Sequence, residues 1–166
     1  MDAHLASWVK ASAAHQPGGR AEAGGCPVSA VRERLRVAGL RPTRQRILLG
    51  WLLFARGHRH VSAEDLYGEA TRARAALSLA TVYNTLRQFS EAGLLRQVHV
   101  GSGKAYFDTC TGSHHHFVVE DEDLVFDVPD GGIAIGPVPE APPGFRIVGV
   151  DVVVRLARIE PDAERG

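Results

Sequence analysis

The stretch Ser78-Leu79-Ala80-Thr81-Val82-Tyr83-Asn84-Thr85-Leu86-Arg87-Gln88-Phe89, running on through Gly93 to Leu95-Arg96-Gln97-Val98-His99-Val100, Gly101-Ser102-Gly103 and Lys104-Ala105-Tyr106-Phe107-Asp108, decides the fold. Two periods meet in it. Leu79, Val82, Leu86 and Phe89 recur at helical spacing and are expected to point inward. Ser78 can cap that helix and Gly93 can end it in a left-handed conformation. Beyond Gly93 the spacing becomes that of a hairpin: a strand over Leu95–Val100, a Gly-Ser-Gly turn, and a returning strand over Lys104–Asp108.

Upstream, the pattern is helical. Val28, Val31, Leu35 and Ala38 share one face, and Gly39 terminates the helix. Thr43 can cap a second helix whose Ile47, Leu48, Trp51, Leu52 and Leu53 overfill a single stripe, so this helix is expected to be central, with Gly57 as its stop. Ser62 with Asp65 has the form of a capping box opening a third helix to about Arg72. The short Arg74–Leu77 link suits a helix-turn-helix corner. The expected fold class is α+β: an N-terminal winged helix-turn-helix followed by a small α/β dimerisation domain. Residues 1–27 read as a flexible arm, in which Leu5 to Ala13 admits a short helix. Residues 28–108 form the DNA-binding domain and 109–166 the dimerisation and sensor domain. Within the latter, strands are expected at Phe117–Val119 and Leu124–Val128, and irregular chain over Asp130–Gly144. A β-branched final strand over Arg146–Ile159 is expected to be covered on both faces. The sheet edge this leaves is expected to pair in a homodimer.

Composition narrows the function classes. The 166 residues are 45% hydrophobic, enough for packed cores. No apolar run approaches the ~20 residues of a membrane span, and no signal-peptide core is visible, which points to the cytoplasm. Two cysteines, Cys26 and Cys110, exclude a disulfide scaffold and fit a reducing compartment. The zero net charge hides an asymmetry. Between Val31 and His60, Arg32, Arg34, Arg36, Arg41, Arg44, Arg46, Arg56 and Arg59 face the single acid Glu33. Between Ala105 and Phe145 there is no Lys or Arg, while Asp108, Glu120, Asp121, Glu122, Asp123, Asp127, Asp130 and Glu140 all occur. The first half suits phosphate and the second a cation; ordinary solvated surface is the competing reading.

On the helix after Ser78, the residues Thr81, Tyr83, Asn84, Thr85, Arg87 and Gln88 lie off the apolar stripe, a face able to enter a major groove. Thr81 and Tyr83 suit phosphate or thymine-methyl contacts, and Asn84 or Gln88 an adenine edge. Arg41, before Pro42, could reach phosphate or a minor groove. An amphipathic bundle helix is the plainer alternative. The internal triplet His114-His115-His116 offers ligands to a metal or to haem iron, or makes a solvated turn. The lone His4, His15, His58 and His99 read as surface residues, and Cys110 as a partly buried thiol.

Gly39-Leu40-Arg41-Pro42-Thr43-Arg44-Gln45-Arg46, His60-Val61-Ser62-Ala63-Glu64-Asp65-Leu66-Tyr67 and Ser78-Leu79-Ala80-Thr81-Val82-Tyr83-Asn84-Thr85-Leu86 together resemble the ferric uptake regulator family of bacterial transcription factors, from about Val31 to Val128. The resemblance implies a dimeric winged-helix repressor hinged around a metal site. Carried over by position, the sensory ligands would be His60, Asp108, His115 and Asp127 for a divalent ion such as Fe, Mn or Zn. A cation shared between the halves would set the spacing of the two recognition helices. The chain departs from the common pattern in three places: Phe117 stands where a histidine is usual, Cys-x-x-Cys pairs are absent, and the last strands carry no histidine.

Those departures make the chain similar to the iron response regulators of alphaproteobacteria, which respond to haem and control haem synthesis and iron uptake. In that light Cys26, followed by Pro27, becomes a haem ligand on the arm, joined by His114, His115 and His116. Pro27 is also a natural first-turn residue for the next helix. The leading expectation is thus a haem- and iron-responsive repressor. It would bind an A·T-rich inverted repeat in double-stranded DNA through Tyr83 with Thr81, Asn84 and Arg87, assisted by Arg41. The alternative keeps the DNA binding with a divalent metal or peroxide as effector. A remote third reading is a metal-dependent hydrolase using His60, Asp108 and His115.

Overall fold

A computed structural model describes residues 27–99, 104–119, 122, 124–129 and 131–158. These fall into two compact units, the first ending at Gly112 and the second beginning at Ser113. The arm, its Leu5–Ala13 helix, Cys26 and the Gly101-Ser102-Gly103 turn lie outside the described residues.

Among the described residues the first unit holds four helices: α1 (Val28–Val37), α2 (Arg44–Phe54), α3 (Ala63–Arg72) and α4 (Leu79–Glu91). Pro27 occupies the N-cap of α1 in an extended conformation, one position before the first turn. Val31 and Leu35 are buried, while Val28, expected on the same face, is half exposed because the first turn overhangs the core. Gly39 (φ +73°) ends α1 through Leu40 N–H to Leu35 O at 2.8 Å and Gly39 N–H to Arg36 O at 2.9 Å. The Leu94 to Phe89 and Gly93 to Ser90 bonds close α4 in the same way. Thr43 accepts from Arg46 N–H to cap α2, and Ser62 and Asp65 cap α3 reciprocally, as their spacing predicts.

Leu49, Leu52 and Leu53 of α2 pack with Leu66 of α3 and Val82, Leu86 and Phe89 of α4 in one core. Gly50 lies where α1 crosses α2. A Cβ there would meet Val31 Cγ1 at 2.8 Å, so only glycine lets the helices approach this closely. The sheet of this unit has the order β1-β3-β2, all antiparallel: β1 (His60–Val61), β2 (Arg96–His99) and β3 (Ala105–Asp108). The two-residue β1 has no sequence signal of its own. The first unit runs on past Asp108 because Thr109 is tied to Arg59. Thr109 N–H donates to Arg59 O at 3.1 Å, and Arg59 N–H to Thr109 Oγ1 at 2.9 Å.

The second unit holds β4 (His116–Val119), β5 (Leu124–Asp127) and β6 (Val153–Leu156) in the order β5-β4-β6, with β4 antiparallel to β5 and parallel to β6. The final strand is much shorter than the expected Arg146–Ile159 and is not covered on both faces. Residues 146–152 are outside any strand, with Phe145 76% and Val148 88% exposed. β-branched propensity makes a strand only where a neighbouring ladder receives it, and among the described residues that ladder starts at Val153. Residues 131–144 are irregular, as the Gly and Pro content of Asp130–Gly144 predicts, and residues 145–152 continue the irregular chain. No helix among the described residues is long and apolar enough to cross a membrane.

Candidate nucleic-acid interface and metal-donor groups

Ser78 fixes the start of α4: its Oγ accepts Thr81 N–H at 3.1 Å and lies 2.9 Å from Thr81 Oγ1. Burial of Val82, Leu86 and Phe89 turns Tyr83 (42% exposed), Asn84 and Arg87 outward, with Thr81 half-buried beside them. Leu79, expected inward, is instead partly exposed, since it sits in the first turn at the rim of the core. Thr85, expected on the polar face, is buried, and its hydroxyl donates to Thr81 O at 2.8 Å. Arg87 pairs with Glu91 one turn on, at 3.2 Å.

Arg41 is exposed, and its carbonyl accepts Arg46 Nη1 at 2.9 Å. The same guanidinium donates through Nε (3.2 Å) and Nη2 (2.8 Å) to Gln88 Oε1. Sequence reasoning missed this clamp because its ends lie on different helices, with no local pattern joining them. Thr43, Gln45, Arg46, Thr81, Asn84 and Gln88 line a groove of about 260 Å³.

Among the described residues, metal donors gather in each unit. In the first, His60 Nε2 lies 3.5 Å from Asp108 Oδ2, both side chains buried. The β1–β3 ladder makes these residues register partners, and Asp108 Oδ1 accepts Cys110 N–H at 2.8 Å. Arg59, beside His60, is held by Glu69 of α3 at 2.5 and 3.1 Å. In the second unit, Asp127 Oδ1 lies 3.0 Å from His114 Nε2 and 3.9 Å from His116 Nε2, and the two imidazole centroids are 4.5 Å apart. His116 and Asp127 are partners across β4 and β5.

His115, expected among the ligands, stands apart from this group. Its Nδ1 accepts Val152 N–H at 3.4 Å. Side chains alternate along extended chain, so His114 and His116 share a face and His115 takes the other. The signal available in the sequence was this alternation around the triplet.

Imidazole nitrogens and carboxylate oxygens suit zinc, iron and manganese alike. Donors at ~2.1 Å from a common ion lie about 3 to 4 Å apart, so the His114–Asp127–His116 spacings fit a cation without rearrangement. They do not fit a haem face. The His114 and His116 side chains are 9% and 2% exposed, which leaves a porphyrin no access to either nitrogen. Cys110 is a free, half-buried thiol, as expected.

Helices leading into a small antiparallel sheet, with an exposed polar helix face and buried histidine–carboxylate donors, define an α+β protein equipped to hold a cation. The profile of the Ferric uptake regulator family matches residues 37–137, and the chain belongs to that family. It is 38% identical over 100 residues to the ferric uptake regulation protein of Pseudomonas aeruginosa, covering 60% of this chain and 75% of that one. With the Pseudomonas fluorescens ferric uptake regulation protein it shares 38% over 86 residues, 52% of this chain and 70% of the relative. The ferric uptake regulator of Pseudomonas aeruginosa, solved with manganese, superposes with a TM-score of 0.61 at 30% identity, covering 78% of this chain and 98% of that one. The Vibrio cholerae ferric uptake regulator, reported with rearranged DNA-binding domains, gives 0.60 at 25%, covering 75% and 96%.

Proposed function

We propose that the chain is a divalent-metal-responsive transcriptional regulator that binds double-stranded DNA as a homodimer in the cytoplasm. The observation that carries this reading is the buried His114–Asp127–His116 donor group in a member of the ferric uptake regulator family. The first unit serves as a winged helix-turn-helix. In it α4 presents Tyr83, Asn84, Arg87 and Thr81 to an A·T-rich inverted repeat, and Arg41 reaches the flanking backbone or minor groove. The second unit serves as the dimerisation and sensor domain. Within the first unit His60 and Asp108 are candidate cation ligands, and within the second Asp127 with His114 and His116. The cation supplies positive charge against buried carboxylates, and the imidazoles hold it as neutral ligands.

Coupling of this kind is reciprocal: manganese raises DNA affinity by the factor by which DNA raises manganese affinity. Fluorescence anisotropy on an A·T-rich palindromic duplex, with manganese, chelator and ferric haem compared, tests it. Tighter binding with manganese supports the reading; equal binding in chelator sinks the metal response, and absence of duplex binding sinks the DNA role. The same samples are expected to turn over no added ester or phosphate, against the hydrolase alternative.

As a finer reading, we propose that haem acts as a second effector through Cys26 and His115. What supports it is that His115 stands apart from the cation donors and is only half-buried. A Soret band unlike that of free haem, lost in both Cys26→Ala and His115→Ala, is the expected result; a spectrum matching free haem removes it.

A further inference from the structure

Gln88 projects from α4 into the groove it shares with Asn84 and Thr81, and its amide is oriented by chemistry rather than by choice. A guanidinium has donors and no acceptor. The two Arg46 bonds, at 3.2 and 2.8 Å, therefore require the carbonyl oxygen of Gln88 to face Arg46 and its NH₂ group to face away. Glutamine recognises adenine by using both ends of its amide, accepting from N6 and donating to N7. With Oε1 already taking two bonds, that bidentate pairing is closed.

We infer that Arg46 makes Gln88 a donor-only reader, directing its NH₂ to the two acceptors of guanine, O6 and N7, or to thymine O4, and withdrawing the acceptor through which adenine N6 would be preferred. This replaces the sequence-based expectation that Gln88 could read adenine, and it rests on the proposed DNA-binding role of α4. Arg46 is a positioning residue here. It also holds the Arg41 carbonyl at 2.9 Å, so one side chain fixes both the helix and the loop before Thr43. Lysine cannot replace it, because a single ammonium does not make the forked pair of bonds to one oxygen.

The experiment is selection from randomised duplexes by the full chain with manganese, for wild type, Gln88→Glu and Arg46→Lys, each shown by circular dichroism to keep its helix content. For wild type, guanine or thymine is expected at the position in each half-site that responds to Gln88. Gln88→Glu removes the donors and is expected to lose that preference by about tenfold. Arg46→Lys frees one lone pair of the carbonyl and is expected to raise the share of adenine at the same position, with the other positions unchanged. Adenine selected by wild type, or an Arg46→Lys profile identical to wild type, overturns the inference while leaving DNA binding standing. No enrichment of any duplex by wild type overturns both. Arg46→Lys weakening all positions evenly assigns Arg46 a structural role alone and also overturns it.

Discussion

His60 and Asp108 are register partners across β1 and β3, with imidazole Nε2 and carboxylate Oδ2 3.5 Å apart. The pair is built by backbone pairing before any side chain chooses a rotamer. Arg59, one residue earlier, is fastened to Thr109 by main-chain and hydroxyl bonds and to Glu69 by its guanidinium, so the frame around the pair is rigid.

Asp108 has two jobs, accepting Cys110 N–H through Oδ1 and facing His60 through Oδ2. Asp108→Ala is expected to lose about 1.5–3 kcal/mol of stability, the range for a hydrogen bond to a charged group. Asp108→Asn keeps an acceptor for Cys110 and is expected to recover much of that loss while still binding manganese more weakly. Urea denaturation beside metal titration checks both; equal destabilisation by Ala and Asn would refute the division of labour.

Within the triplet the expected order of effect on manganese affinity is clear from which rings meet Asp127. His114→Ala and His116→Ala are each expected to weaken binding by at least about tenfold, and His115→Ala by much less. Isothermal titration of the three variants decides it, and a His115→Ala loss as large as the other two would remove the assignment.

Gly50→Ala sets two terms against each other. Alanine gains about 1 kcal/mol of helix propensity but drives Cβ into the fully buried Val31, and overpacking of this kind costs roughly 1–3 kcal/mol. Net destabilisation is expected, with Val31→Ala relieving it in a double-mutant cycle. Additive effects of the two changes would show that the helices can part.

Glu122 is held below the ordinary carboxylate range, first by its hydrogen bond from Arg158 and then by the charge of that guanidinium. A depressed carboxylate stabilises the fold above its unfolded pKa, and that contribution fades as pH falls through the folded value. The wild-type advantage over Glu122→Gln is therefore expected above about pH 4.3 and should vanish in stronger acid. It should also shrink with salt, since the pair is exposed. A Glu122 NMR titration midpoint at or above the ordinary value would contradict it.

The helical part was legible because caps and periodicity are local: Thr43, Ser62, Ser78, Gly39 and Gly93 each act within a few residues of where they stand. β1 was not, since two residues become a strand only when β3 lies beside them. The same reason shortened the last strand, where a β-branched run promised more than the ladder at Val153–Leu156 accepts. In the site, residue types were readable but facing was not. The resemblance points to His115, whereas alternation along the triplet and the pairing of His116 with Asp127 put His114 and His116 on the donor face. The Arg46–Gln88 clamp joins two helices and leaves no trace in either.

The parallel pairing of β6 with β4 has a consequence for the timing of synthesis. On the ribosome, β4 and β5 emerge as an adjacent hairpin, but the strand that completes their sheet follows only after the irregular run from residue 131 to 152. Closing that long loop carries an entropic cost that local helix contacts do not. Until Val152 arrives, the amide that donates to His115 Nδ1 does not exist, and His115 lacks that partner. The helices of the first unit can reach their final packing co-translationally, and His114, His116 and Asp127 can meet once the β4–β5 hairpin has emerged, whereas the β6 side of that sheet is finished last.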